Sequence, residues 1–119
     1  MKINLTSNHG LQITNAITKY IEHKFNVVGE KFNLADAVLD IELEKTNNHH
    51  NKGDIYGVSL KITHSVNNIF ISEVSEDLYV TIDKLEDKLK RELSNYKDKK
   101  KTLLHRFGKK MKDMIKRDN

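Results

Sequence analysis

Residues 75–101 read SEDLYVTIDKLEDKLKRELSNYKDKKK, and the reading of this stretch decides how the rest of the chain has to be covered. Apolar side chains recur at Leu78, Ile82, Leu85, Leu89, Leu93 and Tyr96. Steps of three and four put them on one stripe of a helix, so the helix buries one face. Ser75 is the expected N-cap, with Glu76 and Asp77 placed where the positive end of the helix dipole favours negative charge. A second series at Lys84, Lys88, Arg91, Asn95 and Lys99 keeps the same step. At about 100° per residue it lies a quarter to a third of a turn from the apolar stripe. The helix is therefore expected to hide one side and to present a ladder of cations beside it. A charged helix face is commonly no more than a solvated one. This one is set apart by its scarcity of acids and by Lys/Arg density that rises toward its C-terminal end.

Outward from this helix, Ile69 to Ser75 carries a strand signal and Ser65 to Asn68 a turn. Asp54 to His64 alternates, with Tyr56, Val58, Leu60 and Ile62 pointing inward. Asn47 to Gly53 is a polar loop containing the pair His49-His50. Ala37 to Thr46 also has period two. Leu39, Ile41 and Leu43 face one way, and Asp40, Glu42 and Glu44 the other, as in a strand with one solvated acidic face. Ahead of it, Thr14 caps a helix whose buried face is Ile13, Ala16, Ile17, Tyr20, Ile21, Phe25 and Val28. Gly29 is the expected stop, with Phe32 and Leu34 folding back onto the core. Lys2 to Thr6 is a short strand, and Ser7-Asn8-His9-Gly10 a turn.

The order strand, helix, strand, strand, strand, helix predicts an α+β fold. A strand followed by a helix and a second strand favours parallel pairing of the first two strands, and the two short connections that follow suit antiparallel hairpins. The expectation is one four-stranded mixed sheet with two helices on one face. The other face, carrying Asp40, Glu42, Glu44, Ser59, Lys61 and Thr63, is left open to water.

The chain has 119 residues, 37% of them hydrophobic, enough for one domain with a modest core. No internal repeat is visible. The domain is expected over residues 1–101, followed by a tail at 102–119. There is no Cys, which removes disulfides, Cys-ligated zinc and thiol catalysis and fits a reducing compartment. The start, MKINLTSNHG, holds no apolar run of signal-peptide or membrane-span length, and a cytoplasmic protein is expected. The net charge of +4 conceals an asymmetry: Met1 to Asp83 holds seven Lys and Arg against eleven Asp and Glu, and the remainder holds fourteen against six. Halves of opposite sign point to a polyanionic partner engaged through the C-terminal half.

Two stretches, LTSNHGLQITNAITKYIEHKF at 5–25 and FISEVSEDLYVTIDKLEDKLKRELSNYKDK at 70–99, give the chain the look of a known family. Met1 to about Lys101 resembles the ribosome hibernation-promoting factor / ribosome-associated inhibitor A family in its short form. The most specific run is D-L-Y-x-x-I-D-x-L-x-D-K-L-x-R-x-L, from Asp77 to Leu93. The resemblance implies the same order of elements, similar to a double-stranded-RNA-binding domain. It implies a partner, the small ribosomal subunit with its 16S rRNA, bound in the channel of mRNA and of the A- and P-site tRNAs. It also implies that translation is blocked and idle ribosomes are protected under stress. Lys88, Arg91, Lys97 and Lys99 match the family's basic positions, and Lys84, Lys90, Lys100 and Lys101 are cations of the same region. Lys24, with Lys19, extends the patch from the first helix, or else packs its stem on the core with its head in water. The chain departs from the family at Glu92, often Gln, and at Asn95, often Lys. Ser7-Asn8-His9 stands where relatives carry a Gly-His-His-like stretch. Such chemistry suits ribosomal RNA, whose phosphates are read by shape and charge. Arg91 can grip a phosphate with two N–H groups, whereas the lysines act as point charges.

Other readings remain. The six histidines, His9, His23, His49, His50, His64 and His105, invite an enzyme, but only His49-His50 are close in sequence, and no catalytic residue is assigned. Adjacent loop histidines without a third ligand nearby make a poor metal site, so neither a metal nor another cofactor is expected. The tail, TLLHRFGKKMKDMIKRDN, places Leu104, Phe107, Met111, Met114 and Ile115 on one helical face amid basic residues. Such a segment can dock on an anionic membrane, in a partner's groove or along RNA. The alternatives are thus a general structured-RNA-binding module, or a protein whose basic tail docks on a membrane or partner. On the ribosomal reading no membrane is involved, the free protein is a monomer, and ribosome dimers need a separate dimerising factor.

Overall fold

The structure, a computed structural model, describes residues 1–8, 10–47, 53–64 and 68–95. Its elements run β1 (Lys2–Asn8), α1 (Asn15–Lys31), β2 (Val38–Asn47), β3 (Asp54–Thr63) and β4 (Asn68–Ser75), followed by a helix, α2, over 78–95. The chain divides into two compact units, Met1–Leu89 and Lys90–Asn119. Of the second, the described part is the helical stretch 90–95. The expected boundary at 101/102 lies outside the described residues.

The sheet has the order β1-β2-β3-β4. β1 runs parallel to β2, with Leu5 opposite Ile41; β2 and β3 are antiparallel, with Ile41 opposite Leu60; β3 and β4 are antiparallel, with Leu60 opposite Ile71. One face of the sheet is apolar because the sequence alternates. Leu39, Ile41, Leu43, Val58, Leu60, Ile62 and Ile71 are all buried. Ile17, Ile21, Phe25 and Val28 of α1 and Leu78, Ile82, Leu85 and Leu89 of α2 are buried as well. Each such side chain contributes about 1.5–3 kcal/mol when fully buried, so this layer is the main stabilising term. The expected α+β sandwich is therefore what forms. Its other sheet face carries Asp40, Glu42, Ser59, Lys61 and Thr63 in open or half-open positions.

The ends of β2, β3 and β4 differ from expectation by no more than one residue, and three other ends differ by two or more. β1 reaches Asn8 rather than Thr6, because Thr6, Ser7 and Asn8 stay paired with Glu42, Leu43 and Glu44. The Asn8 amide also donates to Glu42 at 2.5 Å. The turn falls to Gly10, with φ 75°; His9 lies outside the described residues.

α1 starts where expected, with the Thr14 hydroxyl accepting from the Ile17 N–H at 3.2 Å. It does not stop at Gly29. That residue is buried inside the helix, where an added Cβ would lie 2.7 Å from Met1 Sδ, so this glycine permits a close approach. The stop is Asn33, whose φ of 57° takes the left-handed region. The next N–H, Leu34, then returns to the Gly29 carbonyl at 2.8 Å, the six-to-one bond of a Schellman ending. Leu34 is buried, as expected.

The cap of α2 is Asp77, not Ser75. Ser75 is held in the sheet opposite Tyr56, so the chain needs two more residues to turn. The Asp77 carboxylate then accepts from the Val80 N–H at 3.1 Å, and the Asp77 carbonyl accepts from the Thr81 N–H at 2.9 Å. Ser75 supports the turn by accepting from the Asp77 N–H at 3.2 Å, and it contacts the buried Thr81 hydroxyl at 2.5 Å. An Asp77→Ala variant is expected to lose about 0.5–2 kcal/mol of stability, as for other lost caps. Ser75→Ala should leave the cap itself intact. Denaturant titration of the two variants checks the order. Among the described residues, no helix is long and apolar enough to cross a membrane.

Candidate nucleic-acid interface

The helical step of α2 sorts its side chains into strips. Leu78, Ile82, Leu85 and Leu89 form the buried strip. Tyr79, Asp83 and Glu86 occupy one flank, which faces α1: Lys24 and Tyr20 of α1 both bond to Asp83. Lys84 and Lys88 occupy the opposite flank, which faces β4. There the Lys88 ammonium lies 3.5 Å from Glu73 Oε1 and donates to the Ser72 carbonyl at 3.3 Å.

The expected cations therefore differ in their surroundings. Lys84 is exposed and has no ion pair among the described residues. Lys88 is half-exposed and shares its charge with Glu73. Within the second unit, Arg91 is exposed and likewise has no ion pair among the described residues, while Lys90 is half-buried and is not without a partner. Lys97, Lys99, Lys100 and Lys101 lie outside the described residues, as does the tail at 102–119. Lys19 on α1 is exposed.

Lys24 stands apart from Lys84 and Lys88, on the α1 side of α2. Its side chain is only 23% exposed; its ammonium is bonded to Asp83 and sits 3.6 Å from Glu86 Oε1. The Tyr20 hydroxyl donates to the same Asp83 oxygen at 2.5 Å. The Tyr20 ring centroid is 5.0 Å from Lys24 Nζ, and Tyr79 meets that ring edge-on at 4.9 Å. Partial burial works against the Lys24 charge. Its bonds to Asp83 and Tyr20 and the nearby Glu86 outweigh that, and its pKa is raised above the lysine range. Burial likewise works against the Asp83 carboxylate, yet the bonds from Lys24 and Tyr20 prevail and its pKa is lowered. Tyr20 is raised, first by its bond to Asp83 and then by burial. This cluster ties α1 to α2. Its signal in the sequence was faint: Tyr20/Lys24 and Tyr79/Asp83 are both four residues apart, but nothing local says that the two pairs meet.

The cluster makes a pH prediction. Asp83 has a lowered folded pKa, so its contribution is full above the ordinary aspartate range and is lost as pH falls through the folded value. Lys24 has a raised one, so its contribution is full below the ordinary lysine range and is lost only as pH rises through the folded value. The parent should therefore exceed an Asp83→Asn variant in stability at neutral pH, and the gap should close in acid. Asp83 is 44% exposed, and solvent screening keeps the gap to about 1 kcal/mol or less. Denaturant midpoints at neutral and acid pH test this; a gap that persists in acid would contradict it.

Glu73 was not singled out from the sequence. It lies on the helix-facing parity of β4, and only the packing of α2 brings Lys88 to it. His23 is exposed, His64 is half-buried and has a partner, and His9, His49, His50 and His105 lie outside the described residues. Among the described residues, no group of three or more potential ligands could hold a metal ion. What the α2 flank offers is cationic: Lys84 free to meet a phosphate and Lys88 able to do so by exchanging Glu73.

Comparison with known proteins adds a family. A family model described as sigma 54 modulation protein / S30EA ribosomal protein matches residues 3–101. A ribosome hibernation promoting factor of Klebsiella oxytoca is 31% identical over 108 residues, which cover 85% of this chain and 98% of that protein. The Escherichia coli K12 protein of the same name is 30% identical with the same coverage. A ribosome hibernation promotion factor from Picosynechococcus is 30% identical over 110 residues; the match covers 92% of this chain and 53% of that protein, so the chain spans about half its length. Among solved structures, the N-terminal domain of Thermus thermophilus Protein Y superposes with a TM-score of 0.65 at 20% identity, covering 81% of this chain and 99% of that one. A ribosomal subunit interface protein from Coxiella burnetii gives 0.63 at 23% identity, covering 82% and 99%. These two likenesses concern the fold.

Proposed function

Because the chain belongs to the sigma 54 modulation protein / S30EA ribosomal protein family, we propose that it is a ribosome hibernation factor. In this reading it binds the small ribosomal subunit through 16S rRNA in the channel of mRNA and of the A- and P-site tRNAs. Occupying that channel inhibits translation and stabilises idle ribosomes under stress. The protein acts in the cytoplasm and carries out no reaction of its own. Pairing of ribosomes needs a separate factor, and the basic tail at 102–119 is an appendage to the RNA-binding domain at 1–101.

The observation that carries this reading is the cationic flank of α2. Lys84 is exposed and unpaired among the described residues, and Lys88 stands one turn on beside β4; Arg91 follows in the sequence at the same three-to-four-residue step. A rigid row of point charges suits an RNA backbone, because it matches phosphate positions without reading bases, and each contact releases counter-ions. Lys97, Lys99 and Lys100 extend the row in sequence. Lys24 contributes by holding the two helices together, since meeting a phosphate would cost it Asp83.

Co-sedimentation with separated ribosomal subunits at graded salt tests the proposal. Binding to the small subunit, with affinity falling steeply as salt rises, is the expected result. Binding to the large subunit alone, or binding indifferent to salt, would sink it.

A further inference from the structure

The open face of the sheet is not used by this reading, and its large exposed apolar side chains sit on one strand. Phe70 is 70% exposed and Val74 64% exposed, both on this face of β4, with Ser72 exposed between them. Across the other strands the face is mostly polar. Lys2 and Lys61 stand there with Asp40 and Glu42, so these charges match, and they select neither a polyanion nor a polycation. β4 is also the last strand of the sheet: among the described residues no strand is paired to its outer side.

Register fixes which backbone groups face that outer side. The Ala37 carbonyl accepts from the Lys2 N–H at 3.0 Å, so it points to β1. Backbone direction alternates along a strand, so Asp40, Glu42 and Glu44 turn theirs toward β3, to Lys61, Ser59 and Gly57. Val58, Leu60 and Ile62 are then the residues of β3 that turn toward β4, to Glu73, Ile71 and Ile69. The N–H and C=O groups of Phe70, Ser72 and Val74 consequently point out of the sheet edge. The Ser72 carbonyl accepts there from Lys88.

We propose that β4 pairs antiparallel with β4 of a second copy about a two-fold axis at Ser72, joining two sheets edge to edge. The strand is its own complement in this register, as a contact between identical surfaces requires. Phe70 of one copy lies opposite Val74 of the other on both sides of the axis. An aromatic ring against a β-branched side chain is a favourable cross-strand pair. On the helix-facing side Glu73 falls opposite Ile71, so no like charges are opposed, and Lys88 keeps its own Glu73, 3.5 Å away. Moving the axis to Ile71 or Glu73 sets Phe70 opposite Ser72 or Glu76 and leaves apolar surface in water, so the side chains specify the register. Lys88 must yield the Ser72 carbonyl, which keeps the pairing weak and dependent on concentration, in place of the strict monomer expected from the sequence.

Sedimentation velocity of the full chain at rising concentration is the test, and a monomer–dimer equilibrium is the expected result. Ser72→Lys and Ser72→Glu each set like charges face to face at the axis, and each should weaken association about tenfold. An equimolar mixture of the two should restore it, because residue 72 meets itself only in this register. Ser72 is exposed, so both variants should keep the parent's dispersed amide NMR spectrum, and restoration in the mixture itself requires folded chains. The proposal is overturned if the parent stays monomeric up to about 1 mM, which would leave the edge to another partner or to none. It is overturned if Ser72→Lys associates as the parent does, which would move the contact elsewhere, as to the tail at 102–119. A mixture that associates no better than either variant alone would also overturn it.

Discussion

Replacing Phe25 with alanine is expected to destabilise the protein by about 3–5 kcal/mol, the range for a large side chain removed from a packed core. Phe25 has 0% exposure, as do its α1 neighbour Ile21, the sheet residues Leu39, Leu43 and Leu60, and Ile82, Leu85 and Leu89 of α2. No water-facing side gives room for collapse around the hole, so the cost belongs at the upper part of that range. Domains of this size are stable by about 5–15 kcal/mol, and the variant should therefore populate unfolded chains in mild denaturant. Phe25→Leu, which keeps most of the volume, should cost much less. Urea titrations of both variants settle the matter. A Phe25→Ala midpoint close to the parent's would mean that the core is not organised as described.

The second large effect concerns the cationic flank. A Lys84→Ala/Lys88→Ala/Arg91→Ala variant should keep its fold, since Lys84 and Arg91 are exposed and Lys88 is half-exposed. On the proposed function, each residue meets one phosphate at about 1 kcal/mol or somewhat more. Losing three should weaken small-subunit binding by roughly a hundredfold. The slope of log affinity against log salt should become shallower by about three units, one per contact. Lys88→Ala alone should cost less than Lys84→Ala alone, because Lys88 must first leave Glu73. Unchanged binding by the triple variant would remove these residues from the interface, and an affinity loss with an unchanged slope would show that they act by shape instead of charge.

Much of this architecture can be read from the chain because one sheet face is buried. Burial on one side forces strict alternation, and Leu39-Ile41-Leu43 and Val58-Leu60-Ile62 alternate without interruption. The parallel first pair and the two hairpins follow from connection length. Element ends were harder to read. Gly29 looks like a helix stop until Met1 is seen lying against it, and Asn33 does the work of ending the helix through its backbone angle. Ser75 looks like a cap until its pairing with Tyr56 shows that it still belongs to the sheet. At the candidate interface, periodicity alone separates Lys84 and Lys88 from the apolar stripe. It cannot say which flank meets α1 and which meets β4. That depends on how α2 lies across the sheet, and it decides that Lys24 finds acids while Lys84 stays open.

The hydrogen bond from Lys88 to the Ser72 carbonyl reaches past the question of RNA. β4 forms one rim of the sheet, and its sequence, NIFISEVS, is of the apolar, β-favouring kind that recruits foreign strands when its backbone groups stand open. An ammonium seated on a rim carbonyl obstructs that recruitment. A chain stripped of Lys88 would therefore tend to clump, and lost sedimentation with ribosomes could then be mistaken for a lost phosphate contact. Lys88→Arg keeps the rim guarded while changing how a phosphate is held, and light scattering beside every binding assay would tell the two consequences apart.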